Sequence, residues 1–483
     1  MTISQPVSAK PLTDISIAQA QAAFRAGTLT SAALVEACLR RIEARSDLNA
    51  FVTVDTVGAL QAARRADAER AAGKPLKPLA GIPIVVKDNI HAAGLPCTAG
   101  SPAFADFVPG EDAPTLKALR DAGVIVLGKT NLNEFAFGAT GYNPCLNTGS
   151  LAGVRNAWDS SRIAGGSSAG SGVAIGARMA LAALGTDTGG SMRIPPSLNG
   201  CASLRPSSGR YASQGTVPIS RSRDTVGPMA SCMADVALLD AVITGEHALP
   251  PVTLSGLRLG VPAECWANLD DDTREVASAA LVKLQAHGVT LVDIANARLL
   301  ELNEPIGFPV VIHEALSDMV AYLRDEGPGL SIEEVVSRIG SPDVKAIYEN
   351  WVLPGKLPTP QGMVDVTPLY QAAQQFGRDA LKQRYQELFQ TLSLDALIFP
   401  TTTIVAPEAN PGVNDPSVFG KLIRNTEPGA SAGLACIQLP AGLGARTGLP
   451  VGLELDGPAF DDRRMLAIGI ALESVLGRIP AAA

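Results

Sequence analysis

The chain has 483 residues, 46% hydrophobic and 18% charged, with 39 basic against 47 acidic side chains and a net charge of -8. That composition describes a globular protein with a large core, and without any Lys/Arg block it argues against nucleic acid or an anionic membrane as partner. Seven scattered cysteines, never spaced C-x-x-C, point to reduced thiols in a cytoplasmic protein, and MTISQPVSAKPLTDIS lacks the basic and apolar regions of a secretion signal.

In chain order, TLTSAALVEACLRRIEARSDLNAF predicts an amphipathic helix capped by Thr30 or Ser31, with Leu34, Cys38 and Ile42 on one face. In PLAGIPIVVKDN, the apolar run Ile82 to Val86 predicts a short buried strand that ends in Lys87. The pattern repeats: Asp112 is expected to cap a helix that runs to about Ala122 and stops at Gly123, and Val124 to Lys129 reads as the next buried strand. Further strands are expected at LRLGVPAE near Leu257, at VTLVDI after a helix from Asp272 to His287, at DALIFPTTT near Asp395 and at LPVGLELDG near Leu449. No run of about 18 apolar residues suggests a membrane span. These alternations predict an α/β fold with a mixed or parallel central sheet flanked by helices, as a single domain over 1–483. Residues 301–384, helical in pattern around a Pro/Gly-rich stretch, read as an insertion covering the face of the sheet, and this insertion with loops such as Gly141-Tyr142-Asn143-Pro144 is expected to build most of the binding pocket.

Between residues 165 and 196 the chain reads GGSSAGSGVAIGARMALAALGTDTGGSMRIPP, far richer in Gly and Ser than core packing requires. Glycines let backbone N–H groups approach a ligand, and serines supply nucleophiles or hydrogen bonds. A P-loop is excluded because no Lys follows the glycines, and G-x-G-x-x-G is absent. Gly166-Ser167-Ser168-Ala169-Gly170 formally matches the G-x-S-x-G elbow of a Ser-His-Asp esterase with Ser168 as nucleophile. That elbow needs a buried strand before it and a later histidine, whereas WDSSRIA is polar and His247, His287 and His313 carry no partner signature. A third reading joins the serine loops to the lysine at the strand end.

Three motifs stand in order: Gly81-Ile82-Pro83 to Lys87-Asp88, Gly165-Gly166-Ser167-Ser168, and Gly185-Thr186-Asp187-Thr188-Gly189-Gly190-Ser191-Met192-Arg193-Ile194-Pro195. With them the chain closely resembles the amidase signature family, and the likeness extends through GRYASQGTVPISRSRDTVGPMA and the C-terminal SAGLACIQLPAGLGARTGLPVGLELDGPAFDD. Within that family GRYASQGTVPISRSRDTVGPMA and RNTEPGASAGLACIQLPAG look most like bacterial indoleacetamide and mandelamide hydrolases and relatives acting on aryl amides and urethanes. Two positions depart from the pattern: Ala169 stands where Gly is common, and Asn156-Ala157 where Asn-Pro is usual.

The resemblance implies an amidase-signature α/β/α fold and a serine amidohydrolase in which Ser191 is the nucleophile, Ser167 the bridging serine and Lys87 the base. It makes Ser168 a supporting hydrogen-bonding residue and gives Asp187 and Arg193 the task of holding the loop. Chemically, a lysine serves as a base only when neutral, and burial behind Ile82 to Val86 lowers its pKa toward that form. Glycines at 189 and 190 free the backbone to turn inward, so the N–H groups of Thr188, Gly189, Gly190 and Ser191 are the expected oxyanion hole. No cofactor or metal is expected; the expected ligand is a small aryl or arylalkyl amide, with anilides and carbamates as further candidates. An amidotransferase subunit and a non-catalytic ligand-binding scaffold are the remaining alternatives.

Overall fold

The computed structural model describes residues 12–145, 152–360 and 362–482. Its strands are β1 (Phe51–Val54), β2 (Pro83–Lys87), β3 (Ile125–Thr130), β4 (Ala182–Asp187), β5 (Ala202–Arg205), β6 (Thr225–Ala230), β7 (Arg258–Pro262), β8 (Thr290–Ile294), β9 (Lys356–Thr359), β10 (Gly362–Asp365), β11 (Ala396–Pro400), β12 (Ala435–Leu443) and β13 (Pro450–Gly457). Among the described residues, eleven of them form one sheet in the order β1-β3-β2-β4-β6-β5-β12-β13-β11-β7-β8. The sheet is mixed: β2 runs parallel to β3 and β4, and β7 to β11 and β8, while the pairs between β4 and β11 are antiparallel. Helices flank it, and the largest apolar cluster joins the inner faces of β2, β3, β4 and β12 to the helices Ser31–Ala44, Met233–Thr244 and Asp462–Leu476. This is the mixed α/β sheet expected from the alternating pattern.

Local chemistry sets most boundaries. Thr30 caps the helix Ser31–Ala44 through its side chain, and Asp270 caps Asp271–Ala286 in the same way. Gly123 adopts φ +98, and a Cβ there would lie 2.8 Å from the Ala80 Cα, so the chain turns into β3 only with glycine at this point. One expected cap does not form. The helix Pro114–Asp121 starts after Ala113 without a side-chain cap, and Asp112 instead accepts a hydrogen bond from the Ala93 amide at 2.8 Å. Proline at the first helical position, with its φ already helical, starts the helix at Pro114, so Ala113 rather than Asp112 stands at the cap position.

The segment 301–384 carries several helices and, in its Pro/Gly-rich part, the β9–β10 hairpin, and it meets two different parts of the molecule. The helix Arg378–Thr391 lies on the sheet, packing Leu381, Tyr385 and Leu388 against Leu397 and Phe399. The helices Gly307–Asp325 and Ile332–Arg338 pack instead on the loops that leave the carboxyl ends of β2 and β3, through Ile312, Met319, Val335, Phe104 and Phe135. Residues Leu299–Asp325 are long and apolar enough by composition to cross a membrane, but 56% of the apolar window is buried inside the protein.

Candidate active site

Because β2, β3 and β4 are mutually aligned, their last residues reach the same edge of the sheet, the usual place for ligands in α/β folds. Lys87 ends β2 and Thr186-Asp187 end β4. The Lys87 side chain is fully buried, and its Nζ donates to Ser167 Oγ at 2.8 Å and to Thr186 Oγ1 at 2.7 Å. Thr186 Oγ1 also accepts from Asn89 Nδ2 at 3.1 Å. Burial pushes the Lys87 ammonium down to about 7, against the pull of Asp187 and Asp224, which favour its charged form.

Ser167 follows a cis peptide bond from Gly166 and is buried. Ser168 begins the helix Ala169–Gly176 and turns toward β4, where its Oγ donates to the Thr186 carbonyl at 3.1 Å and accepts from the Thr186 amide at 3.3 Å. The esterase elbow is therefore not formed: Ser168 follows a loop rather than a strand, and its hydroxyl is spent on backbone. The histidines stand elsewhere. His91 bonds Tyr322 Oη at 2.8 Å, His313 stacks on Tyr370 at 3.9 Å, His287 Nδ1 pairs with the Lys283 carbonyl, and His247 lies exposed after the helix Met233–Thr244.

The loop from Asp187 to Arg193 is held by buried charge. Arg193 donates to both Asp187 oxygens at 3.0 Å, to Glu454 and to the Thr426 carbonyl, and Arg205 Nη1 reaches the Asp187 carbonyl at 3.0 Å. Burial alone would raise the Asp187 carboxyl, but Arg193 and Arg205 overcome it and hold it at about 2. Asp187 and Arg193 are therefore bound to each other across the turn. Glycine is required at 190, where φ is +152 and a Cβ would stand 2.2 Å from Thr426 Oγ1. Each carbonyl of the turn is occupied: Thr188 by Arg223 Nε at 3.1 Å, Gly189 by Thr426 Oγ1 at 2.5 Å, and Gly190 by the amides of Arg193 and Ile194 at 2.8 Å. Thr188 Oγ1 bonds Asp224, whose carboxyl burial raises to about 6 although Thr188 and the Ile219 and Ser220 amides donate to it.

Ser191 is partly exposed and, with Thr188 and Gly189, lines a cavity of about 220 Å³. Its walls are mainly apolar, with Phe137, Ile219, Phe308, Ile312, Trp351 and Phe419, and the charged residues Arg223, Asp343 and Glu427 also line it. The loop Gly141-Tyr142-Asn143-Pro144, which the sequence suggests for the pocket, is not part of this wall. The lining stops at Thr140, and Asn143 turns inward to hold the carbonyls of Gly100 and Leu132 at 2.8 and 2.9 Å. The unusual Ala157 also has a reason, since its amide donates to Asn199 Oδ1 at 3.0 Å, a bond proline cannot make.

Away from the cavity, Cys436, Glu454 and Asp456 bring ligand-type atoms within 4.8 Å of one another, all buried. Glu454 is already paired with the Arg193 guanidinium and Asp456 with the Tyr385 hydroxyl at 2.8 Å, and burial pushes both carboxyls up. This cluster is the floor beneath Arg193. Thr186, Asn89, Arg205, Arg223, Thr426 and Glu454 have no assigned place in the sequence reading. Only Thr186, inside the G-T-D motif, and Asn89, two residues past Lys87, carried a local signal.

Comparison with known proteins places the chain in context. The family model described as Amidase matches residues 33–466. The chain is 43% identical to mandelamide hydrolase from Pseudomonas putida, with 97% of this chain and 93% of that protein covered. It is 35% identical to an indoleacetamide hydrolase from Agrobacterium vitis, covering 95% and 97%. Among solved structures it is similar to the peptide amidase from Stenotrophomonas maltophilia, at TM-score 0.81 and 27% identity over 98% and 99% of the two chains.

Proposed function

The chain belongs to the amidase family and is an amidase, and from that premise we propose that it hydrolyses uncharged aryl or arylalkyl amides through an acyl-enzyme on Ser191. Ser191 Oγ attacks the carbonyl carbon; its proton passes to Ser167, and the Ser167 proton to neutral Lys87. The oxyanion forms against the N–H groups of Thr188, Gly189, Gly190 and Ser191, whose carbonyl sides are tied back by protein donors. As the tetrahedral intermediate collapses, the C–N bond breaks and the proton returns through Ser167 to the leaving nitrogen. Water then attacks the ester, the same relay takes its proton, and the acid departs as Ser191 recovers its hydrogen. Ser168, Asp187 and Arg193 stay outside the proton path and keep the two loops in register.

The observation that carries this reading is the buried Lys87, pushed down to about 7 and 2.8 Å from Ser167, beside a loop that exposes Ser191 to an apolar cavity. A lysine so placed is a base at neutral pH. The aromatic walls and the names of the mandelamide and indoleacetamide hydrolases support an aryl acyl group; anilides and aryl carbamates present the same carbonyl to the same nucleophile. All seven cysteines are free, which suits a reducing, cytoplasmic setting. The test is peptide mapping after a sulfonyl fluoride, together with a panel of arylacetamides, anilides and aryl carbamates. The expected result is label on Ser191 and release of ammonia from arylacetamides; label on Ser168, or a preference for charged acyl groups, overturns it.

A further inference from the structure

Arg223 is 1% exposed, and its guanidinium meets three separate parts of the chain. Nε donates to the Thr188 carbonyl at 3.1 Å, on the loop that carries Ser191. Nη1 donates to the Gly307 carbonyl at 3.0 Å, the first residue of the helix whose Phe308 and Ile312 line the cavity. Nη2 pairs with Glu427 Oε1 at 3.3 Å, and the other oxygen of Glu427 accepts from Asn303 Nδ2 at 2.8 Å. A planar guanidinium holds its donors in a fixed fork, so moving any one acceptor moves the others or breaks a bond.

We infer that Arg223 is a positioning residue that couples filling of the apolar cavity to the geometry of the oxyanion loop. In a trans peptide the carbonyl and the following N–H point in opposite directions. By fixing the Thr188 carbonyl, Arg223 therefore fixes the direction of the Gly189 N–H. The same side chain fixes the start of the helix that an acyl group must pack against. An acyl group that fills the cavity seats Gly307 and, through the guanidinium, the Gly189 N–H; a small amide leaves the helix start unsupported. Binding energy from the part of the substrate remote from the reacting bond is then expressed in kcat rather than only in KM. No part of Arg223 touches the reacting atoms in this scheme.

The inference rests on the proposed reaction at Ser191, and the test separates the two. Steady-state kinetics are measured for phenylacetamide and for acetamide with the wild type, Arg223→Met, Arg223→Lys and Glu427→Gln, with Ser191→Ala as the control for the reaction itself. Turnover that survives Ser191→Ala overturns the earlier reading and leaves the coupling without a basis. With that control silent, the expected result is a wild-type kcat ratio of phenylacetamide to acetamide of about 100 or more. Arg223→Met reduces that ratio to below about 10, chiefly by lowering kcat for phenylacetamide, with KM for phenylacetamide changed less than about threefold. Glu427→Gln, which keeps the guanidinium but loses its ion pair and one of the two acceptor oxygens that Arg223 and Asn303 use, gives an intermediate ratio, and it serves alone if both Arg223 variants fail to fold. Arg223→Lys fails to restore the ratio because an ammonium cannot span three acceptors. Equal losses of kcat for both substrates, an unchanged ratio in Glu427→Gln, or full rescue by lysine would show an ordinary structural arginine and overturn the proposal.

Discussion

Between Gly81 and Arg193 the polar side chains that matter point inward: Lys87, Ser167, Ser168, Asp187 and Arg193 are all buried and bonded to protein. In 301–384 the side chains that reach the cavity are apolar except for Asp343, and Phe308 remains 47% exposed. The first region keeps charge and hydroxyls in a dry setting, where each has a defined partner and where burial lowers the Lys87 pKa while Arg193 and Arg205 hold the Asp187 carboxyl down. The second supplies shape with little hydrogen bonding, so its residues can vary at small cost to folding. Under the proposed reaction, chemistry and selectivity rest on different parts of the chain, and substitutions in the two should separate cleanly.

The sharpest break is expected at the reacting groups. Ser191→Ala should remove essentially all turnover, about 10⁴-fold or more, and Lys87→Ala and Ser167→Ala most of it, with unchanged circular dichroism. The double variant of Lys87 and Ser167 should be little worse than the worse single, because one proton path is lost only once. Full activity in a folded Lys87→Ala protein would remove the basis for the lysine's role.

Next comes a stability effect confined to the buried region. Arg193→Met leaves the Asp187 and Glu454 carboxyls without their guanidinium and should cost about 3 to 5 kcal/mol in a urea titration. The sign with pH follows from the Asp187 carboxyl, which is held at about 2 rather than its ordinary 3.8. Its contribution is complete above the unfolded value and is lost as pH falls from 3.8 through about 2. If the variant unfolds at the wild-type urea concentration, the ion pair is not what holds the loop.

For Lys87 the pH effect is on rate. Below about 7 the ammonium cannot accept a proton, and above it the neutral amine can, so kcat/KM should rise about tenfold per pH unit on the acid side and level off above 7. A flat profile with chemistry rate-limiting would contradict a lysine base. The insertion should behave differently: Trp351→Ala should lower kcat/KM for phenylacetamide about tenfold or more while leaving acetamide within about twofold. Equal losses on both substrates would erase the contrast between the two regions. The smallest effect is expected at Ser171, whose Oγ meets Thr130 Oγ1 at 2.7 Å and the Leu184 carbonyl at 3.0 Å; Ser171→Ala should cost about 1 kcal/mol and leave kcat unchanged.

Much of this was readable from the chain alone, and for a physical reason. A strand such as Ile82 to Val86 announces itself through its apolar run, Thr30 through the helix it caps, and Lys87, Ser167 and Ser191 through short motifs in which glycines and hydroxyls occur where packing has no use for them. Such signals are local: each depends on neighbours within a few residues, so spacing preserves them. What closes the site is not local. Thr426 reaches Gly189 across 237 positions, Arg193 reaches Glu454 across 261, and Arg223 reaches Glu427 across 204. An arginine in SRSRDT or a threonine in RNTEPG looks like any other polar residue until the sheet order places β12 and β13 beside β5 and the insertion folds over the strand ends. The loop at Gly141 to Pro144 shows the converse, since its glycine and tyrosine suggest a binding wall that the fold uses for hydrogen bonds to Gly100 and Leu132. Local propensity chose the elements and the proposed reacting groups; the long-range packing of a mixed sheet chose their partners, because burial without a partner is too costly for a charge to be left to chance.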